Sequence, residues 1–366
     1  MTGVDRHAIE ILRSIDALIG DHHPLTIGIT LDILCAGETA NVSPFANVPQ
    51  RILPRAPGHV WEQLILPRYV GGGLLSLCNS GPLATKKQIV CIHDVNTRLV
   101  PQSYSFAFRA VYGALHPLLG RRAMQIVTVS HFSQQGIARF GIAPTDETKV
   151  IHNGYEHVLR WNGDRSPLKQ AEIPQPFVLV VGSRASHKNT SIIYSIAAEL
   201  GRRGIHIVLT GGADSNVYMR SNDSRLPTNV RRLGRVDDDD LAFLYQRALC
   251  LVFPSLTEGF GLPALEAMAF GCPVISSGMG SLPEVCGPAA LYAPPHDGPA
   301  WLSAITKIAG EPLLRERLST EGQKRLETFT WRRSAEQYLE LMFTLDNASE
   351  DGGQKGHQTA RNTLSA

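Results

Sequence analysis

The sequence predicts an α/β protein with two doubly wound parallel sheets, and three observations lead to this prediction. The chain has 366 residues, roughly two to three times the usual size of a domain. Short apolar segments of strand length alternate with helical periodicity, which is typical of parallel strands covered by helices on both faces. A polar, proline-rich stretch at 154–176 separates two such series. We therefore expect two domains facing a cleft, with ligands bound at the carboxyl ends of the strands.

Composition excludes several classes of protein. Lys plus Arg number 35 and Asp plus Glu 33, a net charge of +2, so there is no basic excess of the kind that nucleic-acid binding needs. No apolar run reaches the length of about 18 residues that a membrane-spanning helix requires. The six cysteines form no CxxC pair, which favours reduced thiols and a cytoplasmic protein. The first twenty residues lack the pattern of a secretory signal.

The first predicted domain covers residues 1–165 and begins with a helix, because apolar residues in 5–19 recur at helical spacing. A proline- and asparagine-rich stretch at 41–57 is interpreted as a loop. Strands are predicted at 25–31, 74–77, 89–92 and 126–129, and helices at 103–116 and 133–140.

The second predicted domain covers residues 166–330. Strands are predicted at 177–181, 205–209, 249–253 and 273–276, and helices at 189–200, 237–248, 263–270, 297–309 and 312–328. A further helix at 331–346 is expected to pack back towards the first domain. Residues 347–366 are polar and aperiodic, so we predict a disordered tail.

The strongest motif is the segment 253–277, FPSLTEGFGLPALEAMAFGCPVISS. A strand leads through a glycine-bearing loop into a helix opened by Pro263, and an open helix N-terminus of this kind binds anions such as phosphate. Glu266, one turn into the helix, would repel a phosphate and suits sugar hydroxyls, as does Glu258. The alternative is that Glu258 caps the helix and Glu266 lies on a solvated face.

A second motif is the segment 178–190, VLVVGSRASHKNT. A buried strand ends at Gly182, and Arg184 and Lys188 follow in the loop before a helix. Two cations beside a glycine turn can bind a diphosphate, Arg through bidentate hydrogen bonds and Lys through a compact positive charge. The alternative, a solvated surface pair, is equally compatible with this segment alone.

With these motifs the sequence resembles the retaining GT-B glycosyltransferases of family 4, which use nucleotide-sugar donors. The resemblance extends over most of 5–338 and implies two Rossmann-like domains. Glu258 and Glu266 match the family's Glu-x7-Glu pattern, with Gly259-Phe260-Gly261 between them. The residues that match its phosphate loop are Gly182, Arg184, Lys188 and Asn189.

The resemblance implies a role for each matching residue. Arg184 and Lys188 would hold the donor diphosphate, Glu266 the ribose hydroxyls, and Glu258 the transferred sugar. The remaining donor-binding positions are of three kinds: a glycine turn, residues beside the base, and loop residues whose amides approach the sugar and phosphates. In that order they are Gly182, then Arg235 and Val236, then Gly259, Phe260, Gly261 and Leu262.

In the first domain, His93 follows a predicted strand and matches a family histidine that contacts the transferred sugar; the alternative is a satisfied core histidine. Residues 2–6, with Gly3, resemble the family's first glycine-bearing loop, but the strand before it is missing. The absence of this strand should leave backbone N–H and C=O groups of the neighbouring strands unpaired in the centre of the sheet. Either the start is annotated too far downstream or the protein is a degenerate copy. We favour the first and expect upstream in-frame codons to raise solubility and activity.

The resemblance implies transfer of a hexosyl group, with mannose as one candidate, to a glycan or polyprenyl-diphosphate-linked acceptor in lipopolysaccharide or exopolysaccharide biosynthesis. The alternative is an inactive or N-terminally truncated nucleotide-sugar binding protein.

No metal or other cofactor is expected, since the acidic run 237–240 is interpreted as a helix cap. A peripheral contact with the cytoplasmic face of the inner membrane is left open. A nucleotide-sugar epimerase or an NAD-dependent dehydrogenase is disfavoured, the latter because no G-x-G-x-x-G opens either half.

Overall fold

A computed structural model describes residues 2–37, 45–183, 185–211, 227–347 and 361–365. The chain divides into two compact units. The first comprises Met1–Val95, Val111–Gly154 and Thr330–Ala366, and the second comprises Asn96–Ala110 and Tyr155–Phe329. Residues 155–165, assigned to the first domain from the sequence, are thus grouped with the second unit, as is the short segment 96–110.

All strands of the described residues belong to two parallel sheets, one in each unit. In chain order they are β1 (Thr30–Ala36), β2 (Gln50–Leu53), β3 (Leu74–Ser76), β4 (Gln88–Cys91), β5 (Gln125–Thr128), β6 (Thr148–Val150), β7 (Phe177–Val181), β8 (His206–Thr210), β9 (Val230–Gly234), β10 (Leu251–Phe253), β11 (Val274–Ser276), β12 (Ala290–Tyr292) and β13 (Arg361–Ser365).

The α-helices that cover the sheets vary from one turn to five. They are α1 (Gly3–Gly20), α2 (Gly58–Val60), α3 (Asn96–Leu99), α4 (Phe106–Arg122), α5 (His131–Arg139), α6 (Ser191–Ser195), α7 (Ala197–Arg202), α8 (Asp238–Arg247), α9 (Leu262–Ala269), α10 (Leu282–Cys286), α11 (Gly298–Gly310), α12 (Pro312–Leu326) and α13 (Trp331–Asn347). Within the described residues, no helix combines the length and apolar character needed to cross a bilayer.

The first unit opens with α1, in agreement with the predicted helix. Thr2 is its N-cap: the Thr2 side chain accepts a hydrogen bond from the Asp5 amide, and the Asp5 carboxylate accepts one from the Thr2 amide. Residues 2–6, which resemble a glycine-bearing loop in the sequence, therefore form the start of this helix. The reciprocal cap explains the difference, because it satisfies the first helical amides at once.

The sheet of the first unit has the strand order β2-β1-β13-β3-β4-β5-β6. β13 pairs in parallel with β1 on one side and β3 on the other. The prediction that all of 347–366 is disordered is therefore wrong for Arg361–Ser365. The unpaired ladder expected in the centre of this sheet is also not seen there, since β13 supplies a strand at that place.

Two further predictions for the first unit need correction. The strand predicted at 25–31 begins later, at Thr30, because Pro24 opens a 3-10 turn at Pro24–Thr26 and Gly28 has a φ of +78°. The stretch 41–57, predicted as a loop, contains β2, which pairs with β1; residues 38–44 lie outside the described part of the chain.

The second unit has a six-stranded parallel sheet in the order β12-β11-β10-β7-β8-β9. One face is covered by α6, α7 and α11, whose apolar side chains pack on the strands around Trp301. β7 and β10 are neighbours in the centre although they are far apart in sequence. This topology brings the loops that follow the two strands to the same edge of the sheet, where doubly wound folds bind ligands. The predicted α/β class with two doubly wound sheets is confirmed.

Candidate functional site

The candidate site is built from the loops after β7 and β10 in the second unit. Asn189, in the left-handed conformation at φ +53°, ends the first loop. Its side-chain amide donates to Pro254 O at 3.1 Å and to Pro295 O at 2.7 Å. The Leu256 amide also donates to His187 O at 2.7 Å. These bonds hold the two predicted motifs against each other.

Lys188 and Glu258 meet where these two loops join. Lys188 Nζ lies 2.7 Å from Glu258 Oε1, and the Glu258 residue is 9% exposed. Lys188 Nζ also lies 5.9 Å from the ring centre of Phe253. The structure thus brings together the cation and the carboxylate that the sequence assigned to different parts of one donor. Arg184, the second predicted cation, lies outside the described residues.

His187, beside Lys188, is buried. Burial and then the positive charge of Lys188 lower its pKa to about 4, so its imidazole is neutral at pH 7 and adds no charge to the loop. Its ring stacks on that of Tyr104 at 6.0 Å, and its amide donates to Ser103 Oγ at 3.3 Å. Ser103 and Tyr104 belong to the segment 96–110 of the same unit, and no sequence signal indicated this support.

Glu258 sits in a loop whose backbone is fixed by residues 280 and 281. Ser281 Oγ lies 3.0 Å from Glu258 O and 2.7 Å from Phe260 O, both of which accept from it. Gly280 has a φ of +64°, and a Cβ there would lie 2.8 Å from the Glu258 amide nitrogen. The close approach therefore requires glycine. Thr257 Oγ1 donates to Asn96 Oδ1 at 3.0 Å on the other side.

Gly261 is the N-cap of α9 and has a φ of +107°. A Cβ on it would lie 2.7 Å from Leu282 Cδ2. No side chain of the described residues caps this helix end, so the first amides of α9, from Leu262 on, present the positive end of the helix dipole. Phe260, beside it, is buried edge-to-face against Phe329. Residues 259–262 therefore form a turn that leads into an uncapped helix N-terminus, the kind of helix end that can accommodate an anion.

Glu266 lies on α9 and is 6% exposed. His157 Nε2 donates to its Oε1 at 3.2 Å, and the Tyr245 hydroxyl donates to its Oε2 at 3.1 Å. The alternative of a solvated face does not hold for Glu266. Sequence reasoning selected Glu266 but missed both partners, since neither belongs to a motif.

The remaining predicted donor residues lie at the same carboxyl edge of this sheet. Gly182 follows β7, while the exposed Arg235 and the half-buried Val236 follow β9. Next along the chain, Asp237 caps α8: its Oδ1 accepts from the Asp240 amide at 2.8 Å, and the Asp240 carboxylate accepts from the Asp237 amide. The interpretation of this acidic run as a helix cap is confirmed.

His93 and Gly3 belong to the first unit. His93 follows β4 and is 5% exposed, and its Nε2 donates to Leu77 O at 2.8 Å. Burial lowers its pKa to about 4. Its ring packs edge-to-face on His7 at 4.6 Å. Gly3 is the exposed first residue of α1.

The side-chain ligand atoms of His7, Cys91 and His93 lie within 4.8 Å of one another. His7 Nδ1 is bonded to Asn153 Oδ1 at 2.7 Å and its Nε2 lies 3.3 Å from the Tyr338 hydroxyl. Burial raises the pKa of the Cys91 thiol to about 12. A neutral thiol and hydrogen-bonded imidazoles form a buried polar network, which is a poor set of metal ligands.

Comparison with known proteins identifies the family of this chain. A family model described as "Glycosyl transferases group 1" matches residues 167–325, which contain Lys188, Glu258 and Glu266. The O-antigen chain mannosyltransferase B of Escherichia coli is 30% identical over 261 residues, which cover 68% of each chain. The chain belongs to the group 1 glycosyl transferases. This glycosyltransferase is also 29% identical over 229 residues to the O-antigen chain mannosyltransferase RfbU of Salmonella typhimurium, covering 62% of each chain.

Solved structures show the fold of this glycosyltransferase. Sucrose-phosphate synthase from Thermosynechococcus elongatus superposes with a TM-score of 0.70 at 21% identity, over 95% of this chain and 94% of that one. WaaG, a glycosyltransferase involved in lipopolysaccharide biosynthesis, gives a TM-score of 0.64 at 13% identity, over 93% and 96%. At these identities the likeness concerns the fold alone, and the fold is GT-B with two Rossmann-like units.

Proposed function

We propose that this glycosyltransferase moves a hexosyl group from a nucleoside diphosphate to a hydroxyl of a glycan or lipid-linked glycan, with retention of configuration. The observation that carries the proposal is the 2.7 Å contact between Lys188 Nζ and Glu258 Oε1 at the carboxyl ends of β7 and β10. A cation suited to phosphate and a carboxylate suited to sugar hydroxyls are there side by side.

The diphosphate is assigned to Lys188, Arg184 and the N-terminal end of α9. As the bond from the sugar to the diphosphate breaks, negative charge grows on the leaving phosphate. Fixed positive groups stabilise that charge, and one such group contributes roughly 2.7–4 kcal/mol in other enzymes. Lys188, Arg184 and the N-terminal end of α9 provide this stabilisation, with no metal ion required.

The sugar and nucleoside are assigned to the two carboxylates and the turn between them. Glu258 accepts hydrogen bonds from hydroxyls of the transferred sugar, and Glu266 accepts them from the ribose. Arg235 and Val236, after β9, are assigned to the base. His93 is proposed to contact the transferred sugar; its bond to Leu77 O leaves Nδ1 as the acceptor atom of a neutral ring.

Same-face attack accounts for retention without a protein nucleophile. The bond between the anomeric carbon and the diphosphate oxygen breaks, and the acceptor oxygen bonds to that carbon on the same face. The acceptor proton passes to the leaving phosphate oxygen. Preorganised donors around the diphosphate lower the barrier because they need no rearrangement as charge develops.

Mannose is the sugar we propose, because several relatives are named as mannosyltransferases, among them the serotype-specific mannosyltransferase WbdA of Escherichia coli at 26% identity. By the same comparison we propose a role in cell-surface polysaccharide assembly. A peripheral membrane contact is supported by α4, where Val111 and Leu118 are exposed near the cationic Arg121 and Arg122; such residues favour an anionic lipid surface.

A screen of nucleotide sugars tests the proposal. Thermal unfolding is measured with GDP-mannose, UDP-glucose and the corresponding diphosphates, since a ligand bound by the native state raises its stability. The sugar nucleotide that binds is then incubated with glycan acceptors, and the anomeric configuration of the product is read by NMR. An inverted product contradicts retention, and the absence of any stabilising nucleotide contradicts the donor assignment.

A further inference from the structure

Among the described residues, the Glu266 carboxylate accepts one hydrogen bond at each oxygen, and both hydrogen-bond donors are themselves buried. His157 is fully buried and Tyr245 is 1% exposed. We propose that His157 and Tyr245 are positioning residues that orient Glu266 towards the two ribose hydroxyls of the donor. This inference rests on the proposed function, in which Glu266 binds the ribose.

The three side chains come from three separate elements. His157 lies in the 3-10 turn Glu156–Arg160, Tyr245 on α8 and Glu266 on α9. His157 Nε2 reaches Oε1 at 3.2 Å, and the Tyr245 hydroxyl reaches Oε2 at 3.1 Å. Because one donor arrives at each oxygen from a different element, the carboxylate plane is fixed in two directions.

The chemistry of a carboxylate leaves room for a ligand in this arrangement. Each carboxylate oxygen has two lone-pair directions, and a single protein donor takes one of them. The second direction on each oxygen can accept from a vicinal pair of hydroxyls such as O2′ and O3′ of a ribose. Burying a carboxylate without such donors would be costly, so His157 and Tyr245 also allow Glu266 to sit inside the unit.

Aromatic packing holds the two donors in place. The His157 ring lies edge-on to Trp161 at 5.3 Å, and Tyr245 stacks on Phe270 at 6.1 Å. Trp161 stacks on Phe270 at 6.1 Å as well. One aromatic cluster thus supports both rings, and their orientation is set by packing as well as by the bonds to Glu266.

A positioning role has a specific consequence for binding. Without the His157 donor the Glu266 carboxylate can rotate, and the bonds to both ribose hydroxyls weaken. The contacts to the diphosphate stay, because they involve Lys188 on another loop. Loss of the His157 hydrogen-bond donor should therefore remove the preference for a nucleotide with ribose over one whose sugar lacks these two hydroxyls. The affinity for the nucleotide without the hydroxyls should stay unchanged.

Calorimetry with UDP, GDP and their 2′,3′-dideoxy forms tests this directly. The wild-type protein should bind the ribose form of its preferred nucleotide about tenfold or more tightly than the dideoxy form, as expected for hydrogen bonds to a charged group. His157→Leu should abolish most of this preference, and Tyr245→Phe, which removes one hydroxyl and keeps the stacked ring, should reduce it. His157→Gln, whose amide nitrogen can occupy the place of Nε2, should restore it.

Glu266→Ala separates the positioning role of His157 and Tyr245 from the assignment of Glu266 to the ribose. If Glu266→Ala abolishes the ribose preference while His157→Leu and Tyr245→Phe both keep the wild-type ratio, the positioning role is wrong and the proposed function stands. If Glu266→Ala keeps the ratio, or the wild-type protein binds neither nucleotide, the ribose assignment itself is wrong. Should His157→Leu fail to fold, Tyr245→Phe decides between these outcomes on its own.

Discussion

Lys188 Nζ and Glu258 Oε1 form an ion pair at 2.7 Å, with both side chains largely buried. The group assigned to the diphosphate and the group assigned to the sugar therefore neutralise each other in this structure. A donor that inserts its diphosphate beside Lys188 and its hydroxyls beside Glu258 must share or replace this pair. The two residues should consequently respond differently to substitution.

Glu258→Gln should separate diphosphate binding from transfer. The substitution removes the charge that competes with phosphate for Lys188, so affinity for the nucleoside diphosphate should stay the same or rise a few-fold. Turnover should fall by about a hundredfold or more, because a preorganised contact to the reacting sugar is weakened. Calorimetry and initial rates measure the two effects. Parallel losses in both would show that Glu258 does not discriminate between the sugar and the diphosphate.

Gly261→Ala should destabilise the protein and disrupt the loop. A Cβ would clash with Leu282 Cδ2 at 2.7 Å, and the φ of +107° disfavours any other residue, so we expect a loss of about 2 kcal/mol or more in unfolding free energy. Gly310→Ala is the matched control, because a Cβ there meets nothing within 4 Å. Urea unfolding of both variants checks the difference, and equal stability of the two would contradict this account of the turn.

The stability of the first unit should fall in acid because of His93. Burial lowers the pKa of His93 to about 4 from an ordinary 6.5, so the unfolded chain binds this proton at a higher pH than the folded protein. Stability is then intact above about pH 6.5 and is lost as the pH falls towards 4, at about 1.4 kcal/mol per pH unit for one group.

Unfolding curves between pH 7 and pH 4 measure this loss. His93→Gln, which retains a donor for Leu77 O, should show a shallower decline than the wild type. His131→Gln, at an exposed histidine on α5, should not. An unchanged decline in His93→Gln would rule out His93 as its source.

Removal of β13 should destabilise the first unit. The strand pairs with both β1 and β3. A chain ending at residue 360 would therefore leave backbone N–H and C=O groups of β1 and β3 without their β13 partners. Thr363→Pro, which removes one backbone donor from the middle of the strand, should act in the same direction. Thermal unfolding of both variants provides the measurement, and a melting temperature equal to that of the full chain would contradict a structural role for this segment.

The sequence was sufficient for the parts of the fold and site that depend on local pattern. The alternation of apolar strands and helices predicted the two sheets, and the strand–loop–helix segments predicted where Lys188, Glu258 and Glu266 lie. Their partners could not be predicted in this way. His157 is 109 residues from Glu266 along the chain, and Tyr245 reaches the same carboxylate from a different helix.

Other differences also have non-local causes. The composition of the C-terminal segment predicts disorder, whereas β13 is held by backbone pairing, which composition does not report. The helical start at Gly3 depends on a reciprocal cap between Thr2 and Asp5 that competes with the loop interpretation. Ser103 and Tyr104 support His187 from a segment more than eighty residues away, and no local pattern marks that contact.

The central claim is that the loops after β7 and β10 bind the diphosphate of a sugar nucleotide. The most direct test is calorimetric titration of the wild-type protein and of Lys188→Ala with GDP-mannose and UDP-glucose. One of the two donors should bind the wild-type protein, and Lys188→Ala should weaken that binding about tenfold or more. The same loss is expected for Arg184→Ala. Equal affinity in the wild type and both variants would contradict the claim.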